Sequence, residues 1–353
     1  AEFTPVVILP GLILALAIAF AGQYLSRLIG IDLMGLPKSP VSAIMMAILL
    51  GILIRNLVTL PELFHPGIRF GLVRVLRVGI VLLGIRLSLA EAGAIGLQSL
   101  PVIIGSVTAA LLIVTYLARK VGLSGRLGTL IAVGTSVCGA TAIVATAPAI
   151  GAKDNEVSYS IACITLFGVI AMLLYPFAGH YLFGGDAFSS GLFLGTSVHE
   201  TAQVAGAGLV YQQYYDSPLA LDVATVTKLV RNLGMLVIIP LMSVVYHRQS
   251  SEAGEAPAWW TMVPLFVIGF ACLSLIRTIG DAGDLAFGFL QPETWQAIVS
   301  HTRDLAEVCL AVAMAAVGLG TSIRGLRDIG MKPLAIGLFS ALLVGGVSIL
   351  LVT

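Results

Sequence analysis

Residues 134–150 read GTSVCGATAIVATAPAI, and their first four letters recur 61 residues later in the stretch LGTSVHETAQVAGAG at 194–208. Each Gly-Thr-Ser-Val copy stands inside an apolar run and not at its edge. Glycine, serine and threonine in a membrane helix permit a break, because hydroxyl groups can bond the backbone groups that the break frees. The repeated motif therefore predicts two broken or re-entrant helices.

The composition around these segments is that of a membrane protein. Of 353 residues, 58% are apolar and 10% are charged, whereas a soluble domain carries roughly 25% charged residues. So few charges cannot cover the surface of a water-soluble protein of this size. The net charge is only +1 and no basic run exists, so nucleic-acid binding is excluded as well.

The apolar runs predict an all-α polytopic fold of about eleven transmembrane helices, since a crossing needs about 20 apolar residues. The predicted spans are approximately 6–24, 41–58, 71–90, 100–118, 127–150, 157–178, 188–210, 220–246, 260–279, 303–323 and 332–352. The side richer in Lys and Arg faces the cytoplasm. With eleven crossings this side holds Arg119, Lys120, Arg126 and the N-terminus, whereas Lys153 falls on the other side.

We predict one transmembrane transporter domain over residues 1–353. Its parts are the first helices at 6–123, the paired GTSV core helices at 124–246, a polar loop at 247–258 and the last helices at 259–353. The stretch 280–296, with three acids and several aromatic residues, predicts an interfacial loop.

Internal repeats point to a class of function. Besides the GTSV pair, Gly84, Ser88 and Gly96 match Gly318, Ser322 and Gly330 at a shift of 234. Eleven crossings make that second pair inverted, whereas the GTSV pair is inverted only if one copy is re-entrant. Repeated halves around broken helices are typical of secondary transporters. The competing interpretation is that the small residues only allow close helix packing.

Ionisable residues inside the spans add to this hypothesis, because each is costly in a membrane. Lys228 and Arg231 lie three apart on one helical face, and no acid neighbours them in sequence. They favour an anionic substrate, or else acids reached from another helix. Glu200 either pairs with these cations or takes up a proton, and the adjacent His199 titrates near neutral pH when unperturbed.

The candidate residues fall into two groups. For substrate binding they are Gly134, Thr135, Ser136, Cys138, Gly195, Thr196, Ser197, Gln203, Lys228, Arg231 and Asn232, and for coupling they are His199 and Glu200. We predict no catalytic residue, no metal ligand and no cofactor. Arg303, Asp304 and Glu307 have helical spacing and are interpreted as neutralising one another.

The two GTSV segments, with TKLVRN at 227–232, resemble the YeiH-type family of bacterial inner-membrane proteins over about residues 7–352. The resemblance implies a polytopic transporter with inverted repeats, distantly similar to the bile-acid-symporter and sodium–proton-antiporter folds. It also implies export of a small anion, nominally sulfate or a related sulfur oxyanion or sulfonate.

The function that we predict is secondary active transport of such an anion by alternating access, with H⁺ or Na⁺ as the coupling ion. A cation/proton antiporter on the same scaffold is the alternative, with Glu200 as its carboxylate. A membrane enzyme ranks third, because no acid–His–Ser arrangement is legible. The expected partners are the anion and the lipid bilayer, not nucleic acid; a homodimer is left open. The expected location is the bacterial inner membrane.

Overall fold

The computed structural model describes residues 5–35, 39, 41–247, 263–322 and 330–353. The predicted polar loop lies outside the described residues beyond His247. Within the described ranges there is no β-strand, only one isolated bridge between Ala286 and Leu290. The all-α prediction is therefore confirmed for this part of the chain.

The helices are labelled here in chain order. They are α1 (Pro5–Arg27), α2 (Ala43–Leu57), α3 (His65–Phe70), α4 (Leu76–Leu83), α5 (Leu89–Ala109), α6 (Thr115–Lys120), α7 (Gly125–Ser136), α8 (Ala140–Thr146), α9 (Asp154–Leu182), α10 (Ala187–Ser197), α11 (Thr201–Tyr215), α12 (Pro218–Leu233), α13 (Met235–His247), α14 (Leu265–Gly280), α15 (Pro292–Gly320) and α16 (Met331–Val352).

Five helices in the described ranges are long and apolar enough to cross a membrane. They are Val6–Leu33, Leu89–Lys120, Asp154–Leu182, Pro218–Tyr246 and Met331–Val352. Each coincides with one of the predicted spans, and α2 and α14 are shorter apolar helices at two further spans. The chain is thus a multi-pass membrane protein by the length and composition of its helices.

The chain forms two compact units. The first unit comprises the described residues within 1–94, 209–218 and 265–323, and the second comprises those within 95–208, 219–264 and 324–353. Both GTSV segments and the predicted cations at 228 and 231 belong to the second unit.

Close glycine contacts hold the first unit together. A Cβ on Gly51 would stand 2.9 Å from the Cα of Gly318, and a Cβ on Gly11 would stand 2.8 Å from the Cα of Gly67. Helix pairs α2–α15 and α1–α3 therefore pack almost backbone to backbone, as small residues allow in membranes.

Two ion pairs belong to the first unit. Glu307 pairs with Arg86 at 3.6 Å, and its carboxylate accepts a hydrogen bond from Gln212 at 2.9 Å. Glu307 therefore has partners outside its own helix, and its mutual neutralisation with Arg303 and Asp304 stays a prediction. In the predicted interfacial loop, Asp281 pairs with Arg277 and accepts a bond from Trp295 at 2.7 Å.

The first GTSV segment is a helical hairpin, which we call the first hairpin (residues 125–150). Helices α7 and α8 pack side by side. Their close approach is seen at Gly134, where a Cβ would stand 2.7 Å from Ile143 Cδ1. On one straight helix these two residues would be about 13 Å apart. At the base of the hairpin, the Ser124 hydroxyl donates a hydrogen bond to Glu156 on α9. The segment therefore enters and leaves at the same end of α9.

The second GTSV segment also turns back, in what we call the second hairpin (residues 187–208). Gly191 on α10 and Gly208 on α11 both pack against the first turns of α12, at Val223 and Leu221. At its base Asp186 caps α10 by accepting a hydrogen bond from the Ser189 amide at 2.8 Å. This bonding with Ser189 lowers the pKa of Asp186, which is exposed.

The two hairpins start from opposite ends of α9, a helix of 29 residues and about 43 Å. The base of the first hairpin contacts the start of α9, whereas Phe193 of the second packs on Phe183 and Tyr175 near its end. Two of the eleven predicted spans, 127–150 and 188–210, are thus hairpins and not crossings. The placement of Lys153 opposite Arg119 and Arg126 is wrong as well, because all three line one cavity.

This topology predicts the side from which three engineered cysteines react. In a background with Cys272→Ala and Cys309→Ala, we expect Arg119→Cys and Lys153→Cys to react with an impermeant maleimide from the same side, and Asp186→Cys from the other. All three native positions are exposed. If residues 127–150 crossed the membrane, Arg119→Cys and Lys153→Cys would react from opposite sides.

Candidate functional site

The tip of the first hairpin is formed by residues 136–140. The hydroxyl groups of Thr135 and Ser136 donate back to the carbonyls of Ile131 and Ala132 within α7, at 2.8 and 2.5 Å. Gly139 has a φ of +66°, a conformation that an L side chain disfavours. The helix ends here because the chain must reverse, and only glycine does so without strain.

The tip of the second hairpin repeats the bonding of the first. Thr196 and Ser197 donate to the carbonyls of Leu192 and Phe193 at 2.7 and 2.5 Å, and the Thr196 hydroxyl also contacts Ser348 on α16. The four predicted hydroxyl ligands at 135, 136, 196 and 197 are fully buried. Their first partners are therefore carbonyls of their own helices.

The ammonium group of Lys228 joins the two tips. It donates hydrogen bonds to the carbonyls of Val137 at 2.8 Å, Val198 at 2.9 Å and His199. An ammonium has three donors, so all are used, and the side chain is 0% exposed. The cation thus neutralises the carbonyl ends of α7 and α10, where helix dipoles place partial negative charge.

Arg231, one turn further along α12, also donates hydrogen bonds to carbonyls of both tips, through its planar guanidinium group. Its Nε donates to Ser136 O at 2.7 Å and its Nη1 to Thr196 O at 2.5 Å, while Nη2 contacts Thr135 O. The guanidinium, also 0% exposed, therefore bridges both hairpins. The partners of both cations are backbone carbonyls, whereas the sequence predicts an anion or acids of another helix.

The carboxylate of Glu200 lies at the same tips, one residue beyond the His199 carbonyl that Lys228 contacts. It accepts a hydrogen bond from Thr165 of α9 at 3.0 Å and stands at the N-terminus of α8, where a Cβ on Gly139 would be 3.2 Å from Glu200 Oε1. Gln203 accepts a bond from the Glu200 amide and donates to Thr165 O, both at 3.1 Å. Glu200 thus places a negative charge against amide groups of the other hairpin, where a helix dipole favours it.

Two of the predicted residues, His199 and Asn232, have buried polar atoms without a hydrogen-bond partner, and a third, Cys138, contacts another sulfur atom. Both ring nitrogens of His199 and the Oδ1 of Asn232 are buried without a partner in the described part of the chain, although Asn232 Nδ2 donates to Thr201 at 3.1 Å. The Cys138 thiol contacts Met235 Sδ at 3.4 Å. Buried polar atoms without partners are uncommon, so His199 and Asn232 are among the groups here that have capacity for a further ligand.

The tips are accessible on one side only. Thr141 is exposed, and Ala140, Glu200 and Thr201 are half-buried. These residues begin α8 and α11, so the accessible side carries the amide ends of the two returning helices. Gly134 and Gly195 lie behind it, against Ile143 and Thr227, and permit close packing.

The structure brings the thirteen predicted candidates together around two hairpin tips and α12. Their role as ligands stays a prediction. Sequence reasoning missed Thr165, since a lone threonine in an apolar span carries no signal. Gly139 could have been found, because a glycine after the repeated motif is the residue that a chain reversal requires.

Comparison with known proteins gives consistent matches along the whole length. The family model described as "Conserved hypothetical protein 698" matches residues 10–337. A UPF0324 membrane protein of Streptococcus agalactiae serotype V is 32% identical over 93% of this chain and 92% of its own. One of Agrobacterium fabrum is 35% identical over 97% and 91%, and one of Nitratidesulfovibrio vulgaris is 31% identical over 93% and 88%.

Proposed function

Because the chain belongs to the Conserved hypothetical protein 698 family of UPF0324 membrane proteins, which is the YeiH-type family, we propose that it is a secondary transporter of a small anion. The observation that carries the proposal is the pair of hairpins whose tips are joined by Lys228 and Arg231. Broken helices with repeated sequence are the usual construction of a transporter site, and an inverted relation of the two hairpins agrees with it.

The charges at the tips support an anionic substrate. Each helix end carries about half an elementary charge, so the two carbonyl ends and the two amide ends cancel. Lys228 and Arg231 add two positive charges and Glu200 removes one. A site with an excess of about one positive charge attracts an anion, although the cations themselves are occupied by carbonyls.

We place the anion at the accessible side of the tips, against the N-terminus of α11. There the Thr201 hydroxyl and the first amides of a 15-residue helix are suited to bind oxygen atoms of an oxyanion. His199 and Asn232, whose buried polar atoms have no partner among the described residues, are the neighbouring groups that complete such a site. Lys228 and Arg231 lie behind this position and attract the anion through their electrostatic field, without direct contact.

Sulfate or a related sulfur oxyanion or sulfonate is the proposed substrate, with export by alternating access and the N-terminus in the cytoplasm of a bacterial inner membrane. The orientation is supported by Lys153, which joins Arg119 and Arg126 at one end of the second unit and so increases the basic excess there. We propose a transporter and not an enzyme.

The direct test is electrophysiology on proteoliposomes attached to a solid support. We expect a transient current on a jump in sulfate, sulfite or a small sulfonate, at constant pH and sodium. Currents that follow only pH or sodium jumps, with no response to any anion, would support the cation/proton antiporter instead. The antiporter stays the second candidate because Glu200 provides a carboxylate at the tips.

The coupling role of Glu200 is tested by Glu200→Gln. We expect this variant to lose the pH dependence of transport while it still binds the anion, because the amide retains an acceptor for Thr165 but takes up no proton. The measurement is transport rate between pH 5 and 9, with the exposed Glu62→Gln as control. An unchanged pH profile would mean that Glu200 only caps the N-terminus of α8.

A further inference from the structure

A cavity of about 570 Å³ lies at the base of the first hairpin, far along α7 from the tips. It is lined by Arg119, Ser124, Gly125, Arg126, Lys153, Glu156 and Tyr246. These residues come from the end of α6, the start of α7, the start of α9 and the end of α13, all in the second unit. The cavity therefore forms where four helix ends meet.

The cavity is basic, and its one carboxylate is already bonded. Glu156 accepts hydrogen bonds from the Ser124 hydroxyl and, at 2.9 Å, from the Lys153 backbone amide. The side chains of Arg119 and Lys153 are exposed and have no ion pair in the described part of the chain. With Arg126, three cations line this space against one carboxylate, which favours an anionic ligand.

An apolar surface leads directly to these cations. Leu112 is 67% exposed and Tyr116 is 65% exposed, and both precede Arg119 on one continuous helical stretch. The spacing of four and then three residues puts all three on one helical face. A ligand with an anionic head at the cavity and an apolar chain along this face would satisfy both surfaces, whereas a free phosphate would use only the first.

We infer that the cavity binds the headgroup of an anionic phospholipid, with its phosphate between Arg119 and Lys153 and an acyl chain against Leu112 and Tyr116. Basic pockets between membrane helices are suited to such headgroups. The lipid would link the end of α6 to the start of α9, across the start of α7, and so hold the base of the first hairpin in place. This inference does not depend on which substrate the hairpin tips bind.

The first test uses the wild-type protein. After purification, it is equilibrated with an equimolar mixture of phosphatidylglycerol and phosphatidylcholine and examined by native mass spectrometry. We expect one phosphatidylglycerol to be retained preferentially and to raise the melting temperature. Equal retention of both lipids would overturn the inference, as would equal stabilisation by millimolar inorganic phosphate, which would identify a site for the free ion.

The second test locates the site. In Arg119→Gln/Lys153→Gln we expect phosphatidylglycerol affinity to fall about 25-fold, since each basic residue near a membrane surface contributes about fivefold. The control is Arg27→Gln/Arg69→Gln, which neutralises two exposed arginines of the first unit and should retain wild-type affinity. Equal affinity in the two double variants would overturn the location.

Discussion

Lys228→Met is expected to destabilise the protein severely. Methionine fills similar space but donates no hydrogen bond, so the carbonyls of Val137, Val198 and His199 lose their shared donor. Each buried carbonyl left without a donor costs about 1–3 kcal/mol. Val198 O keeps a bond from Arg231 at 3.4 Å, so two carbonyls are left without a donor. Their combined cost of roughly 2–6 kcal/mol corresponds to a fall of about 3–8 °C in melting temperature for a chain of this length, measured by thermal unfolding in detergent.

The matched control is Lys120→Met, at an exposed position at the end of α6. Surface substitutions usually change stability by about 0.5 kcal/mol or less, so this variant should unfold close to wild type. If Lys228→Met melted at the same temperature as Lys120→Met, the ammonium would not be needed to join the tips. Its function would then have to be sought in direct contact with the substrate.

Gly139→Ala is the second substitution with a large expected effect. An alanine would have to adopt a φ of +66° and a ψ of −126°, a region nearly confined to glycine that costs other residues about 1–3 kcal/mol, and its Cβ would stand 2.4 Å from Glu200 Cγ. Glu200 must therefore leave the N-terminus of α8. We expect a lower melting temperature together with loss of transport, because the substitution separates the two tips.

Gly346→Ala is the control for this substitution. Gly346 lies in α16, and a Cβ there would meet nothing within 4 Å. Alanine is favoured over glycine in a helix by about 1 kcal/mol, so the control should be neutral or stabilising. A Gly139→Ala protein that melts and transports like Gly346→Ala would show that the first tip tolerates a different chain reversal.

The location of the helix breaks could be predicted from sequence, but their geometry could not. Gly134, Thr135 and Ser136 in an apolar run announce a break because they are poor at continuing a membrane helix and good at satisfying freed backbone groups. Whether the chain then crosses or returns depends on contacts such as Gly134 with Ile143. Hydropathy is the same for both outcomes, so the sequence alone predicts the wrong end for Lys153.

The hydrogen-bond partners of the buried cations also could not be predicted from the sequence. The helical spacing of Lys228 and Arg231 correctly predicts a shared face, and both do reach the GTSV segments. An anion, a carboxylate and several carbonyls are each able to accept the hydrogen bonds of a lysine or an arginine. Only the position of α12 against the ends of α7 and α10 distinguishes these cases, because that position determines which groups the two side chains can reach.

The order of synthesis matters for these long-range bonds. Lys228 and the carbonyl of Val137 are 91 residues apart in sequence, and Arg231 and Thr135 are 96 apart. At roughly 5–20 residues per second, α12 leaves the ribosome roughly 5–20 s after the first hairpin. During that interval the carbonyls at the tip have neither lysine nor arginine, and hydrocarbon offers no substitute. We therefore expect the first hairpin to stay in contact with water or with the insertion machinery until α12 is made.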